Sequence, residues 1–191
     1  MLVWIIVGVV VVVLLFLVIG AYNRLVGLDQ TADQAFADID VQLKQRHDLI
    51  PNLVETVKGY ASHERGTLEA VVQARSAATH ATTVNDKVQA ENMLTATLGR
   101  LFALSEAYPQ LRANENFMRL QADLSDIENK LAAARRFFNN AVSEFNAVRR
   151  QFPTVLFAAM VGFGSDKPFF DVGEADRAAM SAAPPTVNFQ A

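Results

Sequence analysis

Residues 114–153 read NENFMRLQADLSDIENKLAAARRFFNNAVSEFNAVRRQFP, and apolar side chains recur along them at alternating spacings of three and four. The stripe comprises Phe117, Leu120, Leu124, Ile127, Leu131, Ala134, Phe138, Ala141, Phe145, Val148 and Phe152. This is the a/d pattern of a coiled coil or a long bundle helix. Asn114 is a good N-cap, and Pro153 ends the helix. The pattern predicts a helix of about 36 residues, roughly 54 Å long.

The first soluble helix shows the same periodicity, with one interruption. Its apolar face comprises Leu25, Leu28, Ala32, Ala35, Ile39, Leu43, Ile50, Leu53 and Val57. Pro51 removes one backbone donor and crowds the carbonyl of His47, so we expect a bend there. No breaker pair separates this helix from the apolar N-terminus, although Gly20 and Gly27 are weak points. The two segments can therefore form one continuous rod.

The region between these two helices is also helical in pattern. Gly66-Thr67 is typical of a joint, with Thr67 as the cap of the next helix, and Asn85 is a candidate cap further on. The polar stretch 80–86 leaves open whether residues 67–107 form one helix or two. Either way the predicted fold is all-α: an N-terminal transmembrane helix followed by an elongated antiparallel bundle of three to four helices, since short connections make neighbours antiparallel.

The sequence changes character after Pro153. The apolar run VLFAAMVGF at residues 155–163 is too short to span a bilayer. We expect it to fold back on the end of the bundle, rather than to lie on the membrane surface as an interfacial segment. Residues 164–191 show little periodicity and are predicted to form a mobile tail. The predicted domains are therefore an anchor at 1–21, a bundle at 22–163 and the tail at 164–191.

Residues 2–21 read LVWIIVGVVVVVLLFLVIGA and contain no charge. A bilayer core needs about 20 helical residues, so this run predicts a single membrane span. A cleaved signal peptide would need a basic start, a shorter apolar run and a small-residue cleavage site, so we expect the span to be retained. Arg24 follows the span, and the positive-inside rule favours a cytoplasmic bundle at the inner or plasma membrane.

Composition excludes several function classes. Cysteine is absent, which removes disulfides, thiolate metal sites and cysteine catalysis. A net charge of −3 provides no basic field for nucleic acid. His47, His63 and His80 lack the spacing of a zinc or di-iron site, so neither metal nor other cofactor is predicted. The sequence also contains no nucleophile elbow and no glycine-rich phosphate loop, and we predict that the protein is not an enzyme.

Three polar sets could carry contacts. The densest provides a candidate interaction surface: Lys44, Arg46, His47, Asp48, Asn52 and Glu55. We favour a solvated ion-pair lattice that also covers the backbone at the Pro51 bend. A second set could meet between helices and fix their register: Glu91, Asn92, Glu128, Asn129, Arg135 and Asn139. Asp29, Asp33 and Asp40 form a third face, either solvated or open to a cation or basic partner.

Several stretches resemble the LemA family of bacterial membrane proteins. They are YNRLV at 22–26, DIDVQLKQRHDLIPNLVETVKGYASHE at 38–64, QAR at 73–75, AEN at 90–92, EAYPQLRANENFMRLQADLSDIENKLAAARRFFNNAV at 106–142, and FN at 145–146. The resemblance covers residues 22 to about 163 and the anchor, and leaves the tail outside. It implies a transmembrane helix with a short outside N-terminus, a helical bundle, and no established reaction. One family relative takes part in building a bacterial organelle membrane.

These observations lead to one functional hypothesis and one alternative. The hypothesis is a non-enzymatic, membrane-anchored scaffold that self-associates, with membrane lipid, copies of itself and other membrane proteins as partners. The alternative is an accessory regulator of a membrane protease or sensor, acting through the polar cluster around His47.

Overall fold

A computed structural model describes residues 1–170, which form α-helices and short 3-10 turns without any strand. The α-helices are α1 (Leu2–Lys58), α2 (Arg65–His80), α3 (Val84–Ser105), α4 (Pro109–Arg112) and α5 (Glu115–Arg150). Two 3-10 turns follow, at Thr154–Leu156 and Ala158–Val161. The predicted all-α fold is confirmed, and residues 67–107 form two helices.

Helix α1 runs without a break from the apolar N-terminus into the bundle. It has 57 residues, which corresponds to a rod of about 85 Å. Every residue from Leu2 to Gly20 is exposed, and Leu25 is the first buried residue. Among residues 1–170, α1 is the only helix that is long and apolar enough to cross a membrane. The apolar N-terminal segment and the first bundle helix are thus one element.

The core is built along α1 and α5, which lie antiparallel. Leu25 near the start of the bundle packs with Phe145 and Val148, late in α5. At the far end, Leu53 shares a core with Phe117, early in α5. Helices α2 and α3 complete a four-helix bundle at the end remote from the apolar N-terminus. The apolar stripe predicted for α5 forms the seam of that helix, and eight of its residues are buried: Phe117, Leu124, Ile127, Leu131, Phe138, Ala141, Phe145 and Val148.

Helix boundaries agree with the sequence where a cap has one clear candidate. Asn114 caps α5 by accepting a hydrogen bond from the amide of Phe117 at 3.0 Å, and α5 has 36 residues, as predicted. Thr83, rather than Asn85, caps α3 and accepts from the amide of Asp86 at 3.1 Å. Helix α2 begins at Arg65, two residues before the expected cap Thr67. A polar residue caps a helix where its own backbone is extended, as at Thr83 and Asn114, and short sequence patterns do not reveal this.

The chain after α5 folds back on the bundle, as expected for residues 155–163. Ala158 is buried beside Leu25, and the ring of Phe163 lies 5.8 Å from that of Phe145. Residues 164–170, the first part of the predicted mobile tail, contact α1 and α5, and Phe170 is only 2% exposed. The rest of that predicted tail, 171–191, lies outside the described residues.

Candidate functional site: a buried ionic network

A charged network is enclosed where α1, α3 and α5 meet. Arg46 and His47 come from α1 and Glu91 from α3; their relative exposures are 4%, 7% and 1%. Arg46 Nη1 donates to Glu91 Oε2 at 3.0 Å, and His47 Nε2 lies 2.6 Å from Glu91 Oε1. Both carboxylate oxygens therefore have a partner. Burying a carboxylate is costly unless it is paired in this way.

The network continues outward through the second nitrogen of Arg46. Nη2 donates to Thr95 Oγ1 at 2.9 Å and lies 3.3 Å from Glu128 Oε2 on α5. Glu128 in turn lies 3.7 Å from Arg135 Nη1, one heptad further along α5. The two arginines and two glutamates of the network balance in formal charge. The arrangement satisfies Arg46 from three directions, so it fixes the register of three helices.

The missing backbone donor at Pro51 is also part of this site. Pro51 has no amide hydrogen, so the carbonyl of His47 lacks its usual helical donor. Arg75 Nε on α2 donates to that carbonyl at 2.7 Å. A side chain from a neighbouring helix thus replaces the missing bond and attaches α2 to α1. The sequence predicted the unsatisfied carbonyl, but not the residue that satisfies it.

A cleft of about 420 Å³ opens beside His47. Its polar lining consists of Asp40, Lys44, His47, Asp48, Arg75, Thr79 and Lys87. Lys44 Nζ donates to Asp48 at 2.5 Å. This bond lowers the pKa of Asp48 in spite of slight desolvation, and the charges of Lys44 and Arg75 lower it further. Lys87 forms an ion pair with Asp40. The cleft thus contains both cations and carboxylates.

The six residues of the candidate interaction surface do not form one surface. Arg46 and His47 are buried, which corrects their assignment to a solvated lattice. Lys44 and Asp48 line the cleft, whereas Asn52 and Glu55 are exposed beyond Pro51. The sequence signal for this burial is position: Arg46 and His47 interrupt an otherwise apolar face of α1.

The second predicted set meets only in part. Glu91, Glu128 and Arg135 join the network, whereas Asn92 and Asn129 are exposed. Thr95, one turn after Glu91, was not predicted; the spacing of four on one helix face is the signal that finds it.

The aspartates of the third set have partners within the chain. Lys167 Nζ lies 2.9 Å from Asp29 and 2.7 Å from Asp33. Burial works to lower the pKa of Lys167, but hydrogen bonds and charge from Asp33 and Asp29 raise it overall. Of the alternatives left open for this face, a basic partner is present within the chain itself. Within residues 1–170, no group of three His, Cys, Asp or Glu side chains is placed to hold a metal ion.

Fold and network together define an all-helical bundle protein whose first helix is long and apolar enough to cross a membrane. The chain belongs to the LemA family, whose family model matches residues 35–189. The match extends beyond residue 163, where the resemblance was expected to end, and includes the segment that packs on α1 and α5.

Three relatives illustrate the relationship. Magnetosome protein MamQ of Magnetospirillum gryphiswaldense is 22% identical over 168 residues, covering 74% of this chain and 62% of MamQ. Protein LemA of Metamycoplasma hominis is 23% identical over 133 residues, covering 69% and 61%. Magnetosome protein MamQ 2 of Paramagnetospirillum magneticum is 30% identical over 66 residues, covering 35% and 24%. The chain thus spans about three fifths of the first two relatives, and none of these names states a reaction.

Proposed function

We propose that this protein is a non-enzymatic membrane scaffold that self-associates and organises membrane or membrane-protein partners. The unbroken helix α1 carries the proposal. Because the apolar segment and the first bundle helix share one rod, the tilt of the span in the bilayer sets the direction of the bundle. The bundle faces the cytoplasm in this proposal, since Arg24 follows the span.

The buried network supports a structural role for the bundle. A site that binds and turns over a substrate keeps polar groups accessible, whereas Arg46 and Glu91 satisfy each other inside the core. Such a network holds three helices in one register and stiffens the rod. A stiff bundle on a continuous anchor can hold its neighbours at fixed distance and orientation.

The anchor itself offers a surface for self-association. The side chains of residues 2–19 are exposed within the chain and are rich in Val and Ile. In lipid, helices associate through van der Waals fit, to which stiff β-branched side chains are suited. Two of the relatives above are named magnetosome proteins, and by analogy we propose that this chain also works as part of a cellular assembly.

The test is the mass of the full-length protein in lipid nanodiscs, measured by native mass spectrometry or mass photometry. We expect a discrete oligomer. A variant that lacks residues 1–21, measured in detergent-free solution, should have fewer copies. Arg119→Ala, an exposed change on α5, should leave the oligomer in nanodiscs unchanged. A monodisperse monomer at near-native lipid content would contradict the proposal.

The cleft beside His47 supports a second candidate, the accessory regulator of a membrane protease or sensor. Its charges of both signs suit a polar segment of a partner protein. In this case the monomer would form a stoichiometric complex with one membrane protein. Lys44→Glu, on the cleft, should abolish that complex. Lys58→Glu, at another exposed lysine of α1 (60% against 75% for Lys44), should not; equal effects would exclude the cleft as the contact.

A further inference from the structure

We propose that the turn segment 152–163 inserts into the membrane interface beside α1, and gives the protein a second lipid contact. This inference does not rest on self-association. It starts from the location of the segment, which the sequence alone does not provide.

The segment lies at the level of the last turns of the apolar helix. One cleft is lined on one side by residues of α1 from Leu14 to Ala21 and on the other by Phe152, Pro153 and Thr154. The uncharged run of α1 ends at Ala21. When that run spans a bilayer, Phe152 and Pro153 are therefore at the depth where hydrocarbon gives way to headgroups.

The exposed side chains of the segment are apolar. Their relative exposures are 79% for Phe152, 53% for Val155, 69% for Leu156, 85% for Met160 and 40% for Val161. From Gln151 to Gly164 the chain contains no charged residue. Ala158 and Phe163 meanwhile pack inward on Leu25 and Phe145. The segment thus has one apolar face that packs on the bundle and a second apolar face that is exposed.

Cations flank this apolar face at the same end of the bundle. Arg24 follows the span on α1, and Arg149 and Arg150 end α5 just before the segment. Arg24 and Arg150 are 62% and 67% exposed at the side chain, although Arg24 pairs with Glu144 and both Arg149 and Arg150 pair with Asp166. Three arginines against two carboxylates leave this end with a positive balance, and exposed apolar side chains beside such cations are typical of an interfacial membrane segment on an anionic leaflet. The two alternatives for residues 155–163, folding back on the bundle and lying on the membrane surface, are therefore compatible. A segment that packs on this end of the bundle also lies at the lipid surface.

Two lipid contacts constrain the bundle more than one. A single membrane helix can rotate about its own axis and tilt relative to the bilayer normal. A second lipid contact beside it fixes which face of the bundle is turned toward the membrane. The occupant that suits this surface is the bilayer, because the surface is continuous with the lipid-facing side of α1.

The test uses fluorescence of the full-length protein in vesicles that contain anionic lipid. Trp4 is the only tryptophan, so a Trp4→Phe background carries either Met160→Trp or the matched control Met118→Trp. Met118 is also exposed but lies at the remote end of the bundle. Both changes are at exposed positions, so neither disturbs the core. Melting temperatures equal to that of the background verify this.

We expect blue-shifted emission from the Met160→Trp variant, strongly quenched by lipids brominated near the headgroup end of their acyl chains. Emission from the Met118→Trp control should be quenched by aqueous iodide instead. Equal iodide quenching of the two variants would overturn the proposal. Blue-shifted emission from Met160→Trp without bromolipid quenching would also overturn it, because protein would then cover the segment.

Discussion

The side chain of Asn146 forms two hydrogen bonds with the backbone of Lys167. Nδ2 donates to the carbonyl at 3.0 Å, and Oδ1 accepts from the amide at 2.9 Å. Asn139 forms the same pair with Phe170, at 2.9 and 2.8 Å. Seven positions along a helix rise about 10.5 Å, and three residues of extended chain cover about 10 Å. The asparagine spacing on α5 therefore matches an extended segment, and the C-terminal strap, residues 164–170, is held in register.

Asn146→Ala should loosen the strap, because the amide and carbonyl of Lys167 lose their partners. The expected loss is about 1–3 kcal/mol in the free energy of unfolding, with faster amide hydrogen exchange in residues 164–170. Asn140→Ala is the control, since Asn140 is exposed on the same helix. Urea unfolding and hydrogen exchange measure both. Unchanged exchange in the strap of Asn146→Ala would show that the paired hydrogen bonds do not hold it.

Removing one charge from the buried network should strongly lower the free energy of unfolding. Glu91→Gln keeps the shape of the side chain but leaves Arg46 and its positive charge with Glu128 alone. Breaking a buried pair costs about 3–5 kcal/mol, and the remaining contact with Glu128 favours the lower end. Glu106→Gln breaks an exposed pair with Arg112 and should cost about 0–1 kcal/mol. Denaturant midpoints compare the two, and similar midpoints would contradict the structural role of the network.

Two adjacent phenylalanines on α5 test the position of the seam. Phe138 is 4% exposed and packs against Phe36, whereas Phe137 is 53% exposed. Phe138→Ala should cost about 3–5 kcal/mol through lost burial and a cavity. Phe137→Ala should stay within about 1 kcal/mol, as surface changes usually do. Thermal melts measure this difference, and equal destabilisation would mean that the seam is misplaced by one position.

Lys167 predicts a pH dependence at the alkaline end. Its pKa in the folded chain is raised above the ordinary value of 10.5 by Asp33 and Asp29 in spite of burial. A raised pKa means that the ion pairs stabilise the folded state fully below pH 10.5, and that this contribution falls as pH rises through the folded pKa. The stability difference between the wild type and Lys167→Met should therefore be constant from neutral pH to about pH 10 and shrink above it. A difference that does not shrink above pH 10 would contradict the assignment.

The membrane span should remain on the mature protein. Helix α1 has no break at Ala21, and Leu25 enters the core only four residues later. Intact mass of protein extracted from membranes checks this prediction. A mature N-terminus near Tyr22 would show that residues 2–21 are removed.

The sequence alone determined those features that depend on neighbouring residues. The uncharged run at 2–21, the apolar stripe of α5, the Asn114 cap and the His47 carbonyl that Pro51 leaves without a helical donor each follow from periodicity or backbone chemistry over a few turns. The same local rules left residues 67–107 open, because the polar stretch 80–86, with its candidate cap Asn85, does not by itself end a helix. The cap that is used depends on where the turn between α2 and α3 lets the chain extend.

Only the tertiary structure decided which polar residues are buried together. Arg46 and Glu91 are 45 positions apart, and their side chains alone do not distinguish a solvated ion pair from a core network. That outcome depends on how α1, α3 and α5 pack, because a charge is enclosed only where a neighbouring helix excludes water and supplies its partner. The same holds for the strap: Asn139 and Asn146 are ordinary surface residues until folding brings the backbone of Lys167 and Phe170 against them.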